Sequence, residues 1–213
     1  MAIRSVRFLS GDLSLEGRIA EPDGPPLGSV VLCHPHPLYG GSMSSALLPA
    51  LQRRLCAAGI TTLRFNFRGA GRSDGRYDDG RGEVNDALAA LDQPTATPLV
   101  IAGWSFGAVV AMHAALRSAR ISAVAGMAMP LATVQNIRSP EAPSPSEMRR
   151  WGKPLLMITG ERDVIAPPEP AEAWAAEAGG ASVRIKGADH LFTGFSEDVG
   201  TALLQFLIER VVE

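Results

Sequence analysis

The sequence predicts an α/β fold, a three-layer sandwich in which a mostly parallel sheet lies between two layers of helices. Three observations carry this. Short apolar runs alternate with segments of helical periodicity from about residue 29 to the C-terminus, the pattern of successive βαβ units. The runs SVVLC (29–33), LVIA (99–102) and LLMIT (155–159) are apolar almost throughout, as strands covered on both faces must be. The chain has 213 residues, 46% hydrophobic and 20% charged, enough for one domain with a sizeable core.

Taken in order, residues 3–9 and 13–20 alternate around Gly11-Asp12 and read as an antiparallel hairpin. SVVLC follows as a buried strand. Ser44 to Ala58 reads as a helix on Leu47, Leu48, Leu51 and Leu55, with Pro49 in its first turns and Gly59 as its stop. Ile60–Phe67 is a strand, Glu83–Leu91 a helix, and the run at Leu99 a strand leading into an Ala-rich helix. Strands at Ile121–Met127, Leu155–Thr159 and Ser182–Lys186 alternate with a helix at Pro168–Ala178. An amphipathic helix over Val199–Val211 closes the chain. The segment 130–153 breaks the rhythm, with Pro130, Pro140, Pro143 and Pro145 and no clear period. It reads as a short cap-like insertion in a single domain spanning 1–213.

A net charge of −2, from 20 basic and 22 acidic residues, points to no nucleic-acid or membrane surface. The first 22 residues hold no apolar core of signal-peptide length, and no run approaches a membrane span. Cys33 and Cys56 read as buried free thiols, which fits a cytoplasmic protein. Nothing in the chain demands a dimer contact.

The chemistry centres on Gly103-Trp104-Ser105-Phe106-Gly107. A bare G-x-S-x-G has little weight in a chain with 22 glycines. Between an apolar strand and a helix it becomes a nucleophile elbow, a strained turn that lifts the Ser105 hydroxyl to the sheet edge. Glycines two positions to either side leave room for strand to fold back into helix. A serine hydroxyl needs a base. His190, in Gly187-Ala188-Asp189-His190 after a strand, is the downstream histidine on a loop; His113 lies two turns along the elbow helix, facing away. The acid that orients the base is expected at Asp163, in Gly160-Glu161-Arg162-Asp163 after LLMIT, with Glu161 and Asp189 as rivals.

An oxyanion needs preorganised N–H donors. One is expected at Phe106, after the nucleophile. The other belongs to His34-Pro35-His36-Pro37-Leu38-Tyr39-Gly40-Gly41. Pro35 and Pro37 have no N–H, which leaves His36, Leu38 or Tyr39; Leu38 is favoured slightly over His36. Tyr39, Trp104, Met129 and Leu131 are the candidate lining of an apolar substrate pocket. His34, at the strand end, reads as a locally bonded packing residue. Arg68-Gly69-Ala70-Gly71 after a strand invites a dinucleotide reading, but polar loop follows it instead of helix; Asn66 and Arg68 are expected to support the pocket rim. No acids and histidines stand at metal-ligand spacing, so no metal is expected.

The blocks HPHPLYGGSM, RFNFRGAGRSDG, GWSFG, GERD and GADH, in this order over nearly the whole chain, resemble the α/β-hydrolases, and within them a small lidless bacterial branch. Dienelactone hydrolases of this group carry Cys where this chain has Ser105. The resemblance implies an α/β-hydrolase fold without a large lid, a Ser105, Asp163 and His190 triad, and no cofactor. The expected activity is hydrolysis of small carboxylic esters through an acyl-enzyme, with an ester and water as partners. Peptidase-like, acyl-transfer or lyase chemistry on the same triad, or a scaffold without activity, are the alternatives. An open site without a lid suggests short acyl chains.

Overall fold

The computed structural model describes residues 1–131 and 138–212. Strands β1 (Ala2–Ser10) and β2 (Leu13–Glu21) form the expected hairpin. Its two-residue turn closes the Ser10–Leu13 pair with Gly11 at φ 59°, where a side chain would be strained. Strands β3 (Gly28–Cys33), β4 (Ile60–Phe65), β5 (Leu99–Trp104), β6 (Ile121–Met127), β7 (Leu155–Gly160) and β8 (Ala181–Ile185) complete an eight-stranded sheet in the order β1-β2-β4-β3-β5-β6-β7-β8. β2 meets β4 antiparallel, and every pair from β4 to β8 is parallel.

Two apolar cores flank the sheet. Helices α1 (Leu47–Ala57) and α6 (Ser196–Leu207) cover one face through Leu48, Leu51, Leu203 and Phe206. Helices α2 (Arg81–Ala90), α3 (Phe106–Arg117), α4 (Pro145–Trp151) and α5 (Pro168–Glu177) cover the other through Val84, Val109, Met148 and Trp174. Leu51 is fully buried, and truncating such a leucine to alanine costs about 2–5 kcal/mol. Cys33 and Cys56 are buried free thiols. No helix among the described residues is long and apolar enough to cross a membrane.

Helix α1 starts at Leu47 instead of Ser44 and β4 ends at Phe65 instead of Phe67, and three further elements depart from the sequence reading. Helix α2 begins at Arg81, two residues early, because the Glu83 carboxylate turns back to accept the N–H groups of Gly80 (2.9 Å) and Asp78 (3.0 Å). Glu83 is therefore a capping residue in the first turn. Helix α6 likewise opens earlier, with a polar turn of Ser196, Glu197 and Asp198 ahead of its apolar stripe. Helix α4 lies inside the segment that shows no period. Its start is a capping box: the Ser144 N–H donates to Glu147 at 2.8 Å, the Glu147 N–H donates to the Ser144 hydroxyl at 3.3 Å, and Pro145 follows. No separate lid stands over the sheet among the described residues.

The strand order reverses at β3. From β3 the chain steps out to β4, then returns across to β5 on the other side. The carboxyl ends of β3 and β5 therefore diverge into a crevice, where open α/β sheets hold their ligands. The loop with His34 and His36 leaves β3 there, and Ser105 leaves β5.

Candidate active site

Ser105 has φ 55° and ψ −120°, an uncommon backbone state for a residue with a side chain. Its N–H donates to the Met127 carbonyl at 2.8 Å, which pins the turn to β6. The flanking glycines are steric requirements. A Cβ on Gly103 would lie 1.9 Å from the Gly107 carbonyl oxygen, and one on Gly107 would lie 2.4 Å from that of Cys33. The turn delivers Ser105 to the N-terminus of α3, where the helix dipole favours negative charge.

His190 Nε2 lies 3.0 Å from Ser105 Oγ. Its Nδ1 lies 2.8 Å from Asp163 Oδ2 and 3.0 Å from Oδ1. A carboxylate only accepts, so Nδ1 carries the proton and Nε2 is left to accept from the serine hydroxyl. Asp163 is buried and held by the N–H groups of Ile165 (2.9 Å) and Ala166 (2.8 Å) on Oδ1. The rival acids are engaged elsewhere. Glu161 accepts the Gly187 N–H at 2.8 Å, and Asp189 accepts those of Leu191 and Thr193. The structure thus brings Ser105, His190 and Asp163 into one chain of contacts from three loops at one sheet edge.

The expected donor at Leu38 is corrected. Pro37–Tyr39 forms a single 3-10 turn, capped by the His36 ring, and the Leu38 N–H donates to His36 Nδ1 at 3.3 Å. Leu38 is exposed and its donor is spent. His36 is the alternative that the geometry leaves: among the described residues neither its N–H nor that of Phe106 reaches a protein acceptor, and both residues line the cleft beside Ser105.

His34 and His36 are held by their surroundings. Fully buried His34 accepts the Phe67 N–H on Nε2 (3.1 Å) and donates from Nδ1 to the Pro35 carbonyl (2.6 Å). Burial pulls its pKa down to about 4, so the ring is neutral. His36 donates from Nε2 to the Arg138 carbonyl at 2.8 Å, and burial lowers its pKa as well. Its ring packs 4.9 Å from Phe106 and 4.7 Å from Tyr77.

The cleft in front of Ser105 encloses about 280 Å³. Of the four candidate lining residues, Tyr39 and Leu131 border it. Trp104 and Met129 do not. Trp104 is buried in the opposite core and donates its indole N–H to the His190 carbonyl at 3.0 Å, while Met129 is buried beneath the site. Side chains alternate across a strand, so Trp104, next to Ser105, is turned onto the α1/α6 face. Ile165, Leu191, Pro140 and Ala142 are lining residues that the sequence reading missed. Adjacency was the available signal for two: Ile165 follows Asp163 by two residues, and Leu191 follows His190.

Of the cap-like insertion, residues 132–137 lie outside the described residues. The part from Ser139 to Ala142 forms a wall of the cleft, with Arg138 just ahead of it. Two clamps hold it: the Tyr77 hydroxyl and the His36 ring donate to the Arg138 carbonyl, and His113 Nε2 donates to that of Glu141 at 2.8 Å. His113, on the elbow helix, therefore braces this wall. The glycine cluster after β4 is a support. Arg68 is bidentate on buried Asp86 (2.8 and 3.0 Å), and Asn66 bridges Glu16 and the Met43 N–H. Among the described residues no three His, Cys, Asp or Glu side chains are grouped to hold a metal ion.

Comparison with known proteins agrees with this architecture. Residues 28–209 match a family model described as an alpha/beta hydrolase domain. The chain is 33% identical over 207 residues to the uncharacterized protein RP471 of Rickettsia prowazekii, covering 91% of this chain and 84% of that one. Among solved structures it is similar to XC6422 of Xanthomonas campestris, described as an α/β serine hydrolase without a lid. That likeness has a TM-score of 0.80 and 27% identity, over 97% of this chain and 94% of that one. A second is an alpha-beta serine hydrolase homologue from Coxiella burnetii, with a TM-score of 0.82 and 29% identity over 97% and 98% of the two chains. The fold, the match over most of its length and these likenesses together establish that the chain belongs to the α/β-hydrolase superfamily, in its lidless branch.

Proposed function

We propose that the protein is a serine hydrolase that cleaves carboxylic esters through an acyl-enzyme on Ser105. The observation that carries this reading is the continuous contact from Ser105 Oγ through the His190 ring to Asp163, at 3.0 and 2.8 Å. His190 Nε2 takes the hydroxyl proton as Oγ attacks the ester carbonyl carbon. Asp163 holds the ring in the required tautomer and stabilises the imidazolium. The N–H groups of Phe106 and His36 receive the oxyanion of the tetrahedral intermediate. As that intermediate collapses, the C–O bond breaks and His190 returns its proton to the leaving alcohol. Water then repeats the sequence on the acyl-enzyme, releasing the acid and restoring Ser105.

An apolar cleft open to solvent suits a neutral small ester. The buried free thiols Cys33 and Cys56 fit a reducing, cytoplasmic setting. The test is labelling by a fluorophosphonate together with turnover of p-nitrophenyl acetate and butyrate. Wild-type protein is expected to label at Ser105 and turn over both. The Ser105→Ala variant is expected to lose label and to fall by several orders of magnitude in kcat. Failure to label, or unchanged turnover in the variant, would overturn the reading.

A further inference from the structure

Ten large apolar side chains are strongly exposed among the described residues, and five of them, Leu38, Tyr39, Val164, Ile165 and Leu191, stand on the three loops that carry His36, Asp163 and His190. Their exposure runs from 47% to 89%. Scattered apolar residues on a surface need no explanation, but a contiguous set does. Three of the five meet at one place. Tyr39, Ile165 and Leu191 line the cleft itself, and Leu38 and Val164 are their chain neighbours on the outer side.

The rim is also built to stay where it is. Asp163 Oδ1 accepts the N–H groups of Ile165 and Ala166, and Ala166 is buried, so this short turn drives Val164 outward. Asp189 Oδ1 accepts the N–H groups of Leu191 and Thr193, and buried Phe192 anchors the same loop. Apolar groups on hydrogen-bonded turns lose little freedom when a ligand covers them. The cleft they surround, about 280 Å³, lies at the small end of ligand sites. A second copy of the chain is a poor occupant. Five side chains interrupted by exposed Glu161, Arg162 and Asp189 fall far short of the roughly 800 Å² per partner of a stable interface.

We propose that this rim binds the part of the substrate that the cleft cannot hold, so that the preferred substrates are single, dissolved esters with an extended hydrocarbon chain. The inference rests on the ester-hydrolase reading and replaces the expectation of short acyl chains. Each methylene drawn from water onto such a surface contributes about twofold to fourfold.

The test uses p-nitrophenyl acetate, butyrate, hexanoate and octanoate, each below its critical micelle concentration, on the wild type and on the double variant Leu38→Ser, Val164→Ser. Both positions are solvent-facing, and matching melting temperatures check the fold. For the wild type, kcat/KM is expected to rise at least tenfold from acetate to octanoate. In the variant, the octanoate-to-acetate ratio is expected to fall at least fivefold. Ser105 labelling with a flat chain-length series overturns the rim proposal and leaves the hydrolase reading standing. No labelling and no turnover of any ester overturns both. A rate that jumps only above the micelle concentration assigns the rim to a lipid surface and overturns the proposal. So does a dimer that the double variant dissociates.

Discussion

The Trp104 indole N–H donates to the main-chain carbonyl of His190 at 3.0 Å. The residue that precedes the proposed nucleophile therefore fixes the backbone of the proposed base, from the α1/α6 side of the sheet. Removing the donor while keeping an aromatic ring, in Trp104→Phe, frees the His190 loop without emptying the core. A hydrogen bond of this kind contributes about 0.5–1.5 kcal/mol. The variant is expected to lose roughly threefold to tenfold in kcat toward a short ester, with KM unchanged and fluorophosphonate labelling slowed in parallel. A lower melting temperature with unaltered kcat would show that the contact only supports the fold.

Asp163 has two tasks that one substitution separates. Its Oδ1 organises the turn through Ile165 and Ala166, and both oxygens face the Nδ1–H of His190. In Asp163→Asn the amide oxygen still accepts the turn's N–H groups. The amide can then donate to Nδ1, which favours the tautomer whose Nε2 is protonated and useless as a base. We expect kcat to fall about ten-thousandfold, with a melting temperature close to wild type. A Glu161→Gln control, which touches only the Gly187 contact, is expected to retain most activity. If the two variants lose comparable activity, Asp163 is not the orienting acid.

What was legible in the sequence was what local sterics and periodicity dictate. The hairpin follows from alternation around Gly11-Asp12, the buried strands from unbroken apolar runs, and the elbow from Gly103 and Gly107, which a single methyl would jam. Ser105, Asp163 and His190 each sit just after a strand, so sheet topology alone brings them to one edge. Side-chain direction was harder to read. Trp104 adjoins Ser105 in the chain and Met129 follows the neighbouring strand β6, yet they pack into the two cores instead of the cleft. The β3–α1 loop defeated the Leu38 assignment because a 3-10 turn and a ring nitrogen consumed that N–H, and neither leaves a periodic signal. Helix α4 was the reverse case: its Ser144–Glu147 capping box is written in the chain and was obscured by three neighbouring prolines.

Burial of His34 gives the protein a defined acid sensitivity. Its ordinary pKa of 6.5 is lowered to about 4 in the folded chain, by desolvation first. Between these values the unfolded chain binds a proton that the folded chain does not. The stabilisation is therefore complete above pH 6.5 and is lost as pH falls toward 4. The slope is at most about 1.4 kcal/mol per pH unit, or about 2 kcal/mol from pH 6.5 to 5. His36 is shifted in the same direction by burial and adds to it. Urea unfolding at pH 7 and pH 5 measures the difference. His34→Gln is expected to be less stable at pH 7 but to lose less on acidification, and an equal loss in both proteins would remove His34 as the cause.

A backbone donor can be deleted where its φ already suits proline, and His36 meets that condition with φ −56° and ψ 120°. His36→Pro removes the N–H assigned to the oxyanion. It also removes the ring, with its bonds to Leu38 N–H and the Arg138 carbonyl. His36→Ala carries the same ring losses and keeps the N–H, so the two variants differ in the donor. Loss of one oxyanion donor costs about a hundredfold to a thousandfold in kcat. The proline variant is expected to fall below the alanine variant by that factor at similar KM, since the donor acts on charge that develops only in the transition state. Equal rates in the two would mean that the second donor lies elsewhere. Leu38, whose N–H the alanine variant releases from the ring, would then be the group to examine.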